Sequence, residues 1–205
     1  SISYCYAREV SIEGGKNVGG IVGNACTVNG CLANGITTSG NISSAGGICG
    51  SAYGTEIFDD GDKSYMSGGT IIGCGVRTFI SKATNSGGIV GIATADTNSA
   101  YIKSCYAANI YLNGENNGGI VGADGKYKAH RIVYCLVDNA NGYAVVGGDK
   151  VRSISKRMVL SVPADSGLTV DGVLSVLNAA GSGFDNWERS ENRNGGYPYP
   201  SKITF

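Results

Sequence analysis

Cysteine supplies most of the reactive side chains in this sequence: there are seven, beside a single histidine. Five stand at Cys5, Cys31, Cys74, Cys105 and Cys135; the other two are Cys26 and Cys49. An odd count leaves at least one thiol outside any intramolecular pair. No Cys-x-x-Cys pair occurs, and one histidine offers little for a zinc site. The next candidates are Glu56, Asp59, Asp60 and Asp62, with Gly61 between the last two aspartates. Clustered oxygen ligands on a Gly-bearing turn suit a hard cation such as calcium, which makes Asp59, Asp60 and Asp62 candidate metal ligands. The spacing of a full calcium loop is missing, so a solvated acidic loop is the plainer reading. The same carboxylates raise glycoside hydrolysis as a rival, which needs two carboxyl groups about 5–10 Å apart. A loop without a supporting shell positions such groups poorly. His130, beside Arg131, has no evident nucleophile partner and reads as an exposed loop residue.

The elements that hold these residues follow from a repeat. Gly-Gly-Ile-Val-Gly occurs at 19–23, 87–91 and 118–122, Gly-Gly-Ile-Cys-Gly at 46–50, and a degenerate Tyr-Ala-Val-Val-Gly at 143–147. One of the five cysteines precedes each. Three positions before them stand Ile2, Val28, Ile71, Ile102 and Ile132. Two positions after stand Ala7, Ala33, Val76, Ala107 and Val137, and five after stand Val10, Ile36, Phe79, Ile110 and Ala140. Cysteine and the residue two later share one face of a strand, because side chains alternate with period two. Offsets of three and five break that alternation, so the chain must turn between short strands. Gly-Gly is expected to supply such a turn through positive φ.

These units cannot bury their apolar faces alone; stacking creates the core. The expected fold is all-β: a right-handed parallel β-helix or solenoid of about five rungs with a C-terminal capping segment containing one short helix. The rungs cover about 1–23, 27–50, 70–91, 101–122 and 131–147, with an insertion at 51–69. A β-sandwich is the remaining alternative. Leucine-rich, helical and calcium-binding nonapeptide repeats fit the pattern less well. In-register cysteines lie about 4.8 Å apart on neighbouring rungs, against about 3.8 Å between disulfide Cβ atoms. A ladder of free thiols is therefore expected at Cys5, Cys31, Cys74, Cys105 and Cys135. If any two thiols pair, they are Cys26 and Cys49, outside the ladder.

Residues 148–205 lose the repeat and are expected to cap the solenoid within the same structural domain. Val173, Leu174, Val176 and Leu177 have helical spacing, with Thr169 or Asp171 as N-cap and Gly181 as terminator. This helix and Trp187 are expected to close the open end; sugar stacking is the less favoured use of Trp187. No matching N-terminal cap is visible, so the chain is expected to belong to a longer protein. One residue past each ladder cysteine stand Tyr6, Leu32, Gly75, Tyr106 and Leu136. With cysteine pointing inward, this column points outward. Tyr6, Tyr106 and also Tyr111 are thus candidate contact residues, unless the 148–205 segment covers them.

Composition agrees with this organisation. Glycine accounts for 34 of 205 residues, about twice the usual share, while charged residues make up only 16%. Hydrophobic residues still reach 42%, enough for a continuous core. Lys+Arg and Asp+Glu are both 16, which argues against nucleic acid or an anionic membrane as partner. No apolar run is long enough to span a bilayer as a helix.

The Gly-Gly-Ile-Val-Gly segments, each following a strand such as Cys5-Tyr-Ala7 or Cys105-Tyr-Ala107, resemble the GLUG motif of bacterial surface proteins. Leu177-Asn178, Trp187 and Tyr197-Pro198 also look like the segment closing such arrays. The fifth copy departs by losing Gly-Gly, and an insertion precedes the third. The resemblance covers most of the chain and implies a secreted or cell-surface, adhesin-like protein with no catalytic residues to carry over. The expected function is non-enzymatic recognition of a glycan or a host or neighbouring surface protein, without cofactor. A passive spacer for another domain and a carbohydrate-active enzyme are the alternatives.

Overall fold

A computed structural model describes residues 1–25, 27–53, 57–59, 64–66, 69–93, 100–124, 130–138, 141–148, 154–157, 160–162, 172–179 and 182–205. The same strand pattern recurs along the chain. The first copy forms β1 (Ile2–Ser3), β2 (Tyr6–Glu13), β3 (Asn17–Gly19) and β4 (Val22–Ala25). The second forms β5 (Thr27–Asn29), β6 (Leu32–Ser39), β7 (Ser44–Gly46) and β8 (Cys49–Ala52). Within the insertion, β9 (Ile57–Asp59) and β10 (Ser64–Met66) pair antiparallel. The third copy forms β11 (Thr70–Ile72), β12 (Gly75–Ser81), β13 (Asn85–Gly87) and β14 (Val90–Ala93). The fourth forms β15 (Ala100–Lys103), β16 (Tyr106–Leu112), β17 (Asn116–Gly118) and β18 (Val121–Asp124). Then come β19 (His130–Val133), β20 (Leu136–Asp138), β21 (Ile154–Arg157) and β22 (Leu160–Val162). Helix α1 (Val173–Leu177) and an antiparallel pair, β23 (Trp187–Glu188) with β24 (Tyr199–Pro200), complete the elements.

Equivalent strands stack in parallel. Two six-stranded sheets run β1-β5-β11-β15-β19-β21 and β2-β6-β12-β16-β20-β22; two four-stranded sheets run β3-β7-β13-β17 and β4-β8-β14-β18. Their register reproduces the sequence columns: Val28 pairs with Ile2 and Ile71, and Ile102 with Ile71 and Ile132. The repeat-like pairing runs past residue 147, because β21 and β22 add a sixth strand to two sheets. That continuation was invisible in sequence, since Lys156 and Ser161 fall in register with Ile132 and Val137.

Inside lie Ile36, Ile48, Ile71, Phe79, Ile89, Ile102, Ile110 and Ile120, all essentially without solvent contact. The breaks in alternation have a specific backbone cause. The residue before each ladder cysteine has positive φ: Tyr4 (54°), Gly30 (63°), Gly73 (64°), Ser104 (50°) and Tyr134 (56°). A second such column lies four residues past the cysteine, at Glu9 (54°), Gly35 (69°), Thr78 (64°) and Asn109 (52°). Each left-handed residue turns the strand direction, which moves the next inward position by one.

The Gly-Gly pairs play a different part from the one expected, since none of Gly19, Gly20, Gly46, Gly47, Gly87, Gly88, Gly118 or Gly119 has positive φ. They are needed for close approach. A Cβ on Gly19 would sit 2.5 Å from Ile48 O, on Gly46 2.6 Å from Ile89 O, and on Gly87 2.5 Å from Gly122 N. The second glycine faces the core column instead: a Cβ on Gly88 would lie 2.6 Å from Ala107 Cβ.

The C-terminal segment does not lie where it was expected. Helix α1 and Trp187 pack on the flank of the stacked sheets rather than over an end. Ser104 Oγ donates to Leu177 O (2.6 Å), and Trp187 Nε1 donates to Ser104 Oγ (2.7 Å). The apolar cluster on this flank joins Leu32, Tyr106 and Leu136 to Val173, Leu177, Phe184, Trp187 and Tyr199. The N-cap of α1 is Gly172, in the left-handed region and without a side-chain cap, and Asn178 is its C-cap. Thr169, Asp171 and Gly181 lie outside the described residues.

Candidate functional site

The cysteine column comes first because it is the densest cluster of reactive groups. Cys31, Cys74, Cys105 and Cys135 are buried and free, whereas Cys5, in the first copy, is exposed. Among the described residues, no strand pairs with the outer edge of β1 or β2. Each thiol reaches back across its corner. Cys31 Sγ donates to Asn29 O (3.5 Å), Cys74 Sγ to Ile72 O (3.4 Å), Cys105 Sγ to Lys103 O (3.1 Å) and Cys135 Sγ to Val133 O (3.4 Å). Cysteine thus fills a core position while giving a second donor to a carbonyl that already accepts a backbone N–H from the preceding copy. Hydrogen bonding with Cys74, then burial, pushes the Cys31 thiol up; burial does the same for Cys105. Cys49 is also buried and free, its thiol pushed up to about 12 by burial. At Cys74 burial is outweighed by hydrogen bonds with Cys105 and Cys31, which pull that thiol down; the thiols pushed up are the poorer nucleophiles and metal ligands. Cys26 lies outside the described residues.

The proposed contact tyrosines separate into three situations. Tyr106 is fully buried beneath the C-terminal segment, so it offers no surface to an external ligand. Its ring occupies the space over Gly75, where a Cβ would lie 2.6 Å from Tyr106 Cζ. Its hydroxyl donates to Pro198 O (2.9 Å) and accepts from Asn194 Nδ2 (2.9 Å). Burial pushes the phenol well above its ordinary range, partly offset by the Asn194 hydrogen bond. Trp187 stands 5.4 Å from the same ring, centroid to centroid, and Tyr197 stacks at 6.4 Å. Arg77 lies over Tyr197 at 4.9 Å and donates to Asn194 O (3.1 Å). Trp187 is only 3% exposed, which fits packing rather than sugar stacking. Tyr6 is half-buried, edge-on to Phe205 at 5.2 Å.

Tyr111 is the accessible one, 55% exposed. It pairs in register with Ile80, itself 40% exposed, and Ile80 pairs with Thr37 and Thr37 with Ser11. Ile80 was not singled out from sequence, although the position six past each ladder cysteine reads Ser11, Thr37, Ile80, Tyr111, Asn141. It points outward because its neighbour Phe79 points into the core. Two residues on from Ile80, Lys82 borders a shallow groove of about 280 Å³ lined also by Gly40, Asn41, Ile42, Ser43 and Thr84. An apolar strip beside a polar groove with one cation can bind by stacking and hydrogen bonding.

The remaining candidates contribute less. Asp59 ends strand β9, while Asp60 and Asp62 lie outside the described residues. His130 opens strand β19, between Ala100 and Ile154, rather than lying in a loop. No cluster of metal-ligating side chains occurs among the described residues. Among them also, no helix is long and apolar enough to cross a membrane. Compared with known proteins, the chain matches no family model, no curated protein and no solved structure.

Proposed function

We propose that this chain is a non-enzymatic recognition module of a secreted or cell-surface bacterial protein, built as a right-handed parallel β-solenoid of about five rungs. The observation that carries the reading is the in-register exposure of Ile80 and Tyr111 on a six-stranded sheet. Ile80 is held by main-chain pairing on both sides, with Thr37 and Tyr111, and Tyr111 by its pairing with Ile80, so their spacing is fixed before a ligand arrives. Preorganisation of this kind lowers the ordering cost of binding. A glycan or a protein ligand is the partner class, with Tyr111 as the stacking surface and Lys82, Asn41 and Thr84 as polar contacts. The resemblance of the Gly-Gly-Ile-Val-Gly segments to the GLUG motif supports the reading as an adhesin-like surface protein. A glycan array and a surface-protein panel test the reading. Binding that falls at least about tenfold in both Tyr111→Ala and Ile80→Ser supports it. Binding unchanged by both substitutions refutes it.

A passive spacer is the second reading, favoured by one specific observation. Tyr106, Trp187, Tyr197 and Tyr199 are all consumed in packing the C-terminal segment, which leaves Tyr111 and Phe205 as the exposed aromatics among the described residues. A blank array and an empty protein panel favour the spacer.

A further inference from the structure

Exposure alternates at the end of the third copy: Ile80, Lys82 and Thr84 are exposed, whereas Ser81 and Ala83 are buried. Side chains two apart share a face, so Ile80, Lys82 and Thr84 all point outward, about 6.7 Å from one to the next along the chain. Pairing sets their neighbours across the sheet, about 4.8 Å away. Ile80 lies between Thr37 and Tyr111. Thr84 lies between Ser43 and Glu115, because Asn85 N donates to Ser43 O (2.9 Å) and Glu115 N to Thr84 O (3.0 Å). The apolar strip of Ile80 and Tyr111 therefore ends one side-chain step from Lys82 and its groove of about 280 Å³. Lys82 makes no ion pair among the described residues.

We propose that this face binds an acidic glycan. A sugar ring stacks on Tyr111 and Ile80, the carboxylate of a neighbouring uronate or sialate residue meets the Lys82 ammonium, and Asn41, Ser43 and Thr84 hydrogen-bond the hydroxyls. The assignment rests on recognition at Ile80 and Tyr111 and narrows its ligand. Three observations select the class. A protein partner needs about 800 Å² on each side around an apolar core. The large exposed hydrophobics among the described residues are Ile80, Tyr111 and Phe205, and Phe205 packs on Tyr6 and Tyr199, which leaves this face two apolar side chains. The groove lining supplies hydroxyl and amide groups that both donate and accept, as sugar hydroxyls do. Its one charged group is Lys82, and a hydrogen bond to an ionised partner is roughly twice as strong as a neutral one. Glu115 stands beyond Thr84, at the far rim, and opposes an anion there.

The test is calorimetric titration of the chain with tetragalacturonate and with sialyllactose, each beside its methyl ester. One of the acids is expected to bind at least about tenfold more tightly than its ester, and which one it is separates uronate from sialate. Lys82→Gln is expected to abolish that difference while leaving the ester unaffected. Tyr111→Ala is expected to weaken acid and ester alike, and Glu115→Gln to tighten the acid alone. Lys82 and Glu115 are exposed, so urea unfolding of both variants is expected to match the parent. Acid and ester that bind alike, or an acid preference that survives Lys82→Gln, overturn the proposal; if Tyr111→Ala still weakens binding, recognition at the apolar strip stands without it. A ligand found only among neutral glycans or surface proteins has the same meaning. Failure of both acids to bind also overturns it, and a blank array and protein panel then remove the recognition role as well.

Discussion

Replacing Gly75 by alanine places a methyl group 2.6 Å from Tyr106 Cζ and 2.7 Å from Leu32 Cδ2. Gly75 does not have positive φ, so alanine meets no backbone strain there and the cost is purely one of space. Overpacking of this kind costs about 1–3 kcal/mol. If the ring moves to relieve it, the Tyr106 hydroxyl leaves Pro198 O and Asn194 Nδ2, each 2.9 Å away. Lost buried hydrogen bonds add about 1 kcal/mol each. We therefore expect Gly75→Ala to destabilise by about 3 kcal/mol, measured by urea unfolding. Trp187 is the only tryptophan, and its ring lies 5.4 Å from that of Tyr106, so its fluorescence follows the same event. The decisive comparison is a double-mutant cycle with Tyr106→Leu, which vacates the space above Gly75. In that background alanine is expected to cost less than about 1 kcal/mol. Equal costs in the two backgrounds, or a Gly75→Ala variant within about 0.5 kcal/mol of the parent, refute the claim that Gly75 exists to seat Tyr106.

Other perturbations follow from the corners, the flank and the thiols. Thr78 is a β-branched residue at φ 64°, so Thr78→Gly is expected to raise stability by about 1 kcal/mol in denaturant unfolding. Ser104→Ala removes the hydroxyl that joins Trp187 Nε1 to Leu177 O; a loss of about 1–2 kcal/mol and a changed Trp187 emission are expected. Cys49, pushed up to about 12, keeps its proton in the folded chain while the unfolded thiol loses it near its ordinary value of 9.0. The folded state then binds more protons than the unfolded one, so stability is complete below about pH 9 and falls as pH rises toward 12. The slope approaches about 1.4 kcal/mol per pH unit for this thiol, and Cys49→Ala should flatten the measured pH profile.

Much of the architecture was legible because parallel in-register stacking sets like residues upon like. The columns at Ile71, Cys74, Val76 and Phe79 could be read from the repeat, and the pairings follow them. The corners were harder to find. Their left-handed residues include Tyr4, Glu9, Thr78, Ser104 and Asn109, types that announce no turn, and only Gly30, Gly35 and Gly73 hint at the two columns. Tyr111 was legible as a candidate, but its neighbour Ile80 emerged only once strand register was known.

By itself, the sequence determined which positions repeat and which side chains share an interior, since periodicity records local geometry faithfully. It could not decide the fate of the outward column. Tyr6, Leu32, Gly75, Tyr106 and Leu136 read as surface in a strand pattern, yet Tyr106 is buried by residues about ninety positions later in the chain. Such burial depends on where a non-repeating segment docks, and docking is a contest among surfaces rather than a property of any local pattern. The tertiary structure therefore decided the accessible face, leaving Ile80 and Tyr111 open to solvent while enclosing Tyr106 and Trp187.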